Sequence, residues 1–386
     1  MELSISTRNG TLQVSESLET ARRWMHLCSE THQECGNPNH TSTFPTRLLK
    51  IRAAGLQLIL TEVEKPTGAY ATLSYCWGPP PYEFPRLTTS NIGDMFRSEI
   101  PNIALPVAFR EAIGFVQELG IQYIWIDSLC IIQDGARSND DWTFESSRMK
   151  SVYSNSAICL SLDRARSPQD SVIYGPDVQF MTPFEINTTG IFDENDLAAE
   201  SKRCAVFSSQ HFNNALYDQP LGSRAWALQE RMLPPRVLGF GEGELFWSCR
   251  QVPHACESLP SGTASLPDRS LGLRSSFIPI TSDSADLYDT WFGLVMDYSG
   301  RKLTCPEKDK LVAMSAVAAL METATKDKCI VGHFWKSIPF SLMWDGFGTP
   351  FHGSDESLEI RKRLRIPSWS WASEHRTVLS TDAFWA

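Results

Sequence analysis

Glu145 stands out as a titratable group in an unexpected place. In the stretch DWTFESSRMKSVY it falls three residues after Trp142 and four before Met149. At helical spacing its carboxyl group therefore shares a stripe with Trp142, Met149, Val152 and Tyr153. Burial along such a stripe disfavours the charged form and raises the pKa, and a perturbed carboxyl group beside a cleft is a candidate for chemistry. The structural alternative is a hydrogen-bonded glutamate near a helix start, where a carboxylate also complements the dipole. A second group of candidates gathers at two strand ends. Asp127 and Ser128 follow the apolar run Ile121 to Ile126, with Cys130 just beyond, and Ser74, Tyr75 and Trp77 close the run YATLSYCWG before Gly78 and Pro79. Carboxyl ends of parallel strands are where open α/β sheets place ligand-binding groups. Aromatic rings beside a glycine suit a planar ligand, although a strand end with a tight turn and a buried tryptophan needs no ligand.

Cysteine and histidine spacing is weaker. Cys28 and His32 lie four apart on one helical face, with Cys35 and His40 following, so a structural zinc site is geometrically open to them. The spacing matches no standard finger, and a buried cysteine beside capping histidines accounts for it without metal; no metal site is assigned. Cys249, His254 and Cys256 form a second loose group read as packing. The alternating glycines Gly239, Gly241 and Gly243 precede no helix and read as a turn rather than a phosphate loop. No Gly-x-Ser-x-Gly elbow supports a hydrolase triad.

The elements that must position these groups can be read in order. Residues 16 to 34 predict a helix with an apolar stripe through Leu18, Ala21, Met25 and Cys28, and residues 46 to 63 predict a hairpin or two short strands. Tyr70 to Ser74 predicts a covered strand. A loop with at most one short helix spans 81 to 101, and Leu105-Pro106 opens a helix ending at Gly120. The Ile121 strand, a helix capped at Asn139 or Asp140, and a strand to Leu162 complete the pattern of a small parallel sheet with flanking helices. Beyond it, residues 163 to 196 read as linker and surface loops with room for two short strands. Ser223 to Met232 predicts a short helix, 236 to 249 a hairpin, and 286 to 298 and 307 to 325 helices. In Ile366 to Ala372, alternation puts Trp369 and Trp371 on one face of a strand.

At 386 residues the chain has room for about two domains. Hydrophobic content of 42%, 21% charged residues and 12 tryptophans describe a packed globular protein. A net charge of −10 gives no electrostatic footprint for nucleic acid or anionic membrane; the short basic run Arg361-Lys362-Arg363 reads as a solvated face. The N-terminus lacks the pattern of a signal peptide and no segment is apolar enough to span a bilayer, so a cytoplasmic location with its ten cysteines reduced is expected.

Three blocks, YATLSYCWG, IWIDSLCIIQD and DWTFESSRMKSVYSNSA, resemble in order those of the fungal heterokaryon-incompatibility (HET) domain. The upstream WMHLCSETHQEC and PTRLLKI, and the downstream SRAWALQERMLPPRVLGF and RIPSWSWAS, resemble segments that flank it. Such domains are in turn similar to Toll/interleukin-1-receptor (TIR) domains, some of which cleave NAD. The resemblance implies an α/β, flavodoxin-like core at 70–165, an N-terminal helix and short strands at 1–69 packed on it, and a mixed α+β C-terminal domain at 166–386. It also implies a role in nonself recognition and programmed cell death. Trp142 and Glu145 match the Trp-x-x-Glu of NAD-cleaving members, which makes Glu145 the catalytic candidate. Ser74, Tyr75, Trp77, Asp127, Ser128, Cys130 and Trp142 become the pocket candidates. The span from Gly78 to Pro106 departs from a full TIR domain, being short for its first helix and second strand. Cleaving nicotinamide from NAD passes through an oxocarbenium-like transition state that one carboxylate can stabilise. NAD would be substrate, with no cofactor required. Two competitors remain: a non-enzymatic module that assembles with itself or a partner protein, and an enzyme acting on another small metabolite in the Ser74 to Cys130 cleft.

Overall fold

The apolar runs come together in one mixed sheet of nine strands. The computed structural model describes residues 14–37, 43–173, 184–188, 202–206, 208–262, 284–347, 365–374 and 376–380; His40 and Arg361 to Arg363 lie outside them. The strands are β1 (Arg47–Ile51), β2 (Gly55–Leu60), β3 (Tyr70–Ser74), β4 (Ile100–Pro101), β5 (Tyr123–Trp125) and β6 (Ile158–Ser161). After a separate antiparallel pair, β7 (Phe184–Thr188) and β8 (Lys202–Val206), the sheet resumes with β9 (Arg236–Phe240), β10 (Leu245–Cys249) and β11 (Ala255–Cys256). Their spatial order is β11-β10-β9-β6-β3-β5-β1-β2-β4.

Only the centre is parallel: β3 pairs with β5 and β6, and β6 with β9. The expected α/β architecture is present, but the sheet is larger than the small parallel one anticipated. An antiparallel hairpin joins each side, β1–β2 beside β5 and β9–β10 beside β6. The same sheet thus takes in strands before residue 70 and after residue 166. Numbered along the chain, the four parallel strands lie in the order 2-1-3-4, the opening of the flavodoxin-like order. In such sheets the switch point lies between the first and third strands, here β3 and β6.

All five residues of β3 are buried, as expected of a strand covered on both faces. Tyr70 carries one polar atom into that core, and its hydroxyl donates to the Val152 carbonyl at 2.5 Å. The covering helices are α1 (Val14–Thr31), α2 (Val107–Glu118), α3 (Ser138–Ser154) and α4 (Trp226–Met232). Helix α3 starts at Ser138 without a side-chain cap, so Asn139 and Asp140 lie inside its first turn rather than at the cap. Its predicted stripe does face inward: Glu145, Met149, Val152 and Tyr153 are buried, and Tyr153 packs edge-on against Trp125.

A second core lies in the C-terminal α+β region, between α5 (Ser284–Ser299) and α6 (Val312–Thr325), and includes Trp291, Tyr298, Phe334 and Trp371. Helix α4 joins the two cores. Ala225, Leu228 and Met232 belong to the second core, while Glu230 meets the sheet. The Trp369/Trp371 expectation is corrected. Ile366 to Ala372 is not a strand; a turn around Trp369 leads into a 3-10 helix that begins at Trp371. Trp371 is buried and both it and Trp291 donate to the Gly332 carbonyl, whereas Trp369 is 42% exposed. Gly332 has φ +88, and a Cβ there would lie 2.5 Å from the Trp371 indole nitrogen.

Candidate functional site

The switch point between β3 and β6 is occupied by the protein's own side chains. Ser74 ends β3 and its hydroxyl donates to the carboxylate of Glu230 on α4. At the end of β6, Ser161 donates to Asp163 at 3.0 Å, and Arg231, next to Glu230, pairs with the same Asp163. Burial raises the pKa of Glu230 and that of Asp163, the latter to about 6 despite Arg231. Asp163 Oδ2 is buried without a hydrogen-bond partner. A Cβ at Gly239 would lie 2.9 Å from that oxygen, so the glycine on β9 makes room for it. Arg224 donates to the Tyr75 carbonyl just past the strand end.

Four of the predicted pocket residues form one network beside this point. Tyr75 donates its hydroxyl to Asp127 at 2.7 Å and lies 2.8 Å from the Ser128 hydroxyl; Trp77 donates its indole N–H to the other Asp127 oxygen at 3.0 Å. The Tyr75 ring packs edge-on against Phe109, and burial raises its pKa well above the ordinary value. Asp127 and Trp77 are half-buried and Ser128 is buried. The network links the ends of β3 and β5 through bonds among its own members. Cys130 stands apart, buried, with burial raising its thiol to about 12, so it is no nucleophile at neutral pH.

Glu145 lies elsewhere. It is 2% exposed and faces Arg47, at the start of β1, across 3.2 Å. The same guanidinium nitrogen meets both oxygens of Asp141 at 2.7 Å, and the Arg47 Nε donates to the Cys130 carbonyl at 2.6 Å. Burial raises the Glu145 pKa, opposed by a hydrogen bond from Thr46 and by Arg47. Trp142 does not reach this carboxylate's ion pair; it is half-buried and meets Trp226 of α4 edge-on at 6.4 Å. Thr46 and Arg148 line a cleft of about 490 Å³ together with Phe44, Lys65 and Pro66, and Glu145 sits behind that wall rather than in it.

The arrangement covers one continuous stretch of chain. Residues 70–230 match the family model described as heterokaryon incompatibility protein (HET). The chain carries a HET domain. No curated protein and no solved structure matches it. The HET domain runs from the first residue of β3 to Glu230, so it includes both halves of the Ser74–Glu230 contact. The domain points to a role of the heterokaryon-incompatibility type. No helix among the described residues is long and apolar enough to cross a membrane.

Several residues of the HET domain and its neighbours were not singled out by sequence. By sequence Arg47 reads as part of a hairpin or short strand, and Arg224, Glu230 and Arg231 as ordinary residues of a short helix. Charges in SRAWALQERM, a segment with apolar residues to pack on two sides, were the available signal. The group Cys249, His254 and Cys256 separates three ways. Cys256 meets His211, whose Nε2 lies 2.8 Å from Glu244. His254 meets the Tyr217 hydroxyl at 3.1 Å, and burial lowers its pKa to about 4. Cys249 turns toward the N-terminal helix, where Cys28, His32 and Cys35 are gathered.

Proposed function

We propose that this HET-domain protein takes part in a fungal nonself response in the cytoplasm, leading to programmed cell death, by association rather than by turning over a nucleotide. The observation that carries this reading is the pairing of Glu145. A carboxylate that stabilises a ribosyl cation must touch the ribose with its charge available to it. Here a guanidinium neutralises the charge and shares it with Asp141 and a backbone carbonyl. The Ser74 to Ser128 groups are likewise engaged, Ser74 with Glu230 and the others with one another, which suits a brace better than a substrate pocket. The test is nicotinamide release from NAD by the purified chain, at dilute and at self-associating concentrations, with Glu145→Gln in parallel. Neither protein should turn NAD over, and toxicity on overexpression should survive Glu145→Gln. Release by wild type that a folded Glu145→Gln variant lacks would overturn the reading.

NAD cleavage through Glu145 is the second reading, and one observation favours it. Thr46 bonds to Glu145 and also lines the neighbouring cleft, where Phe44, Lys65 and Arg148 suit an aromatic base and a diphosphate. That route requires Thr46 to withdraw and Arg47 to release the carboxylate.

A further inference from the structure

Four ligand-type side chains from three separate elements converge at one edge of the sheet. Cys28 comes from the last turn of α1, His32 and Cys35 from the cap and end of the 3-10 turn that follows it, and Cys249 from the end of β10. Their ligand atoms, three sulfurs and a histidine nitrogen, all lie within 4.8 Å of one another. His32 Nδ1 is 3.3 Å from Cys249 Sγ. The three cysteines are free thiols and buried, and His32 is half-buried. Tetrahedral zinc with bonds of about 2.3 Å to sulfur sets its ligand atoms roughly 3.8 Å apart, so a small inward adjustment closes the set.

A second observation points the same way. Arg236 is 1% exposed, and no carboxylate pairs with it among the described residues. Its Nε lies 3.1 Å from Cys28 Sγ, and its other nitrogens donate to the carbonyls of Gly36 at 2.5 Å and Ala157 at 3.3 Å. A buried guanidinium without a counter-charge is costly. Three thiolates and one Zn²⁺ carry a net charge of −1, which Arg236 balances. Three neutral thiols, or a disulfide with one thiol left over, leave it unbalanced. The Val252 backbone N–H, 3.3 Å from Cys249 Sγ, adds a donor of the kind that supports a metal-bound thiolate.

We propose that Cys28, His32, Cys35 and Cys249 hold a structural zinc ion that fastens the N-terminal helix to the β9–β10 side of the sheet. Three cysteines and one histidine fill all four positions, so the site holds metal for folding and has no open position for chemistry. On binding, the thiols release their protons to solvent and no redox change occurs. The site ties residues before the HET domain to residues after it, a span that no local motif could reveal.

The full chain, purified without chelator, should carry about one zinc per molecule. After removal of the zinc, added Co²⁺ should give the intense visible absorption of a tetrahedral thiolate site together with sulfur-to-cobalt charge transfer. The paired substitutions Cys35→Ser and Cys249→Ser should abolish both signals. His32→Ala, at a half-exposed position, should weaken zinc binding by at least about tenfold, and Cys305→Ser, at an exposed cysteine outside the cluster, should change nothing. The wild-type cobalt spectrum decides the matter even if the cysteine variants fail to fold. Less than about a tenth of an equivalent of zinc with no tetrahedral cobalt spectrum would overturn the proposal. So would a disulfide between any two of the three cysteines in chain purified under reducing conditions.

Discussion

Two helices each turn a glutamate inward, and the surroundings of those glutamates differ. Glu145 on α3 faces a guanidinium from β1, 98 residues earlier, which also clamps Asp141. Glu230 on α4 faces a hydroxyl from β3, 156 residues earlier, with Arg224 acting on it from further away. Burial raises the pKa of both. The first is a knot of full charges at the rim of the hairpin; the second is a neutral-donor contact that plugs the switch point of the sheet. A buried ion pair is costly to break on one side because the remaining charge has nowhere to go, whereas losing a hydroxyl forfeits one hydrogen bond. An inward carboxylate therefore does not by itself identify a catalytic group. Its partner decides the role.

Breaking each contact tests this difference. Arg47→Met strands Glu145 and Asp141 together and should cost about 3–5 kcal/mol in urea unfolding, the largest effect expected. Adding Glu145→Leu to that variant should recover part of the loss. If the double variant is no more stable than the single, the charge knot is not what holds the hairpin to α3.

Ser74→Ala should cost less, about 1–3 kcal/mol. It leaves the Glu230 carboxylate facing the strand end with the Tyr153 hydroxyl and more distant Arg224 to offset it. A cost equal to that of Arg47→Met would erase the contrast between the two glutamates.

A smaller effect should appear with pH at Asp163, beside Glu230. Its pKa in the folded protein, about 6, lies above the ordinary aspartate value, so the folded state binds the extra proton between the two. Stability from this group therefore rises as pH falls. Relative to Asp163→Asn, wild type should gain about 1 kcal/mol between pH 7 and pH 5. His254 acts in the opposite sense: with a folded pKa near 4, it contributes stability above pH 6.5 that is lost as pH falls through 4. The difference between the two proteins isolates the aspartate, and a flat difference curve would show that Asp163 does not titrate in this range.

Much of the fold was legible because periodicity reports which face of an element is covered. The apolar run of β5, the stripe of α3 and the glycine turn between β9 and β10 all follow from it. Phe144 and Glu145 show the same logic at single-residue scale: adjacent in sequence, they are 53% and 2% exposed because a helix turns 100° between them. Periodicity failed at Trp369 and Trp371, where a turn at Trp369 leading into a 3-10 helix at Trp371 replaces the strand and a spacing of two no longer keeps side chains on one face. It was also silent on the width of the sheet, since antiparallel strands joining at its sides are chosen by long-range pairing.

The amino-acid sequence alone determined that this is a HET-domain chain with an α/β core, and that Glu145 points inward, because motif order and helical spacing are local properties. Tertiary structure alone decided that Arg47 answers Glu145, that Glu230 fills the switch point, and that Cys249 joins Cys28, His32 and Cys35. Each of those contacts joins residues about 100 to 220 positions apart, where only the pairing order of the strands determines which side chains meet.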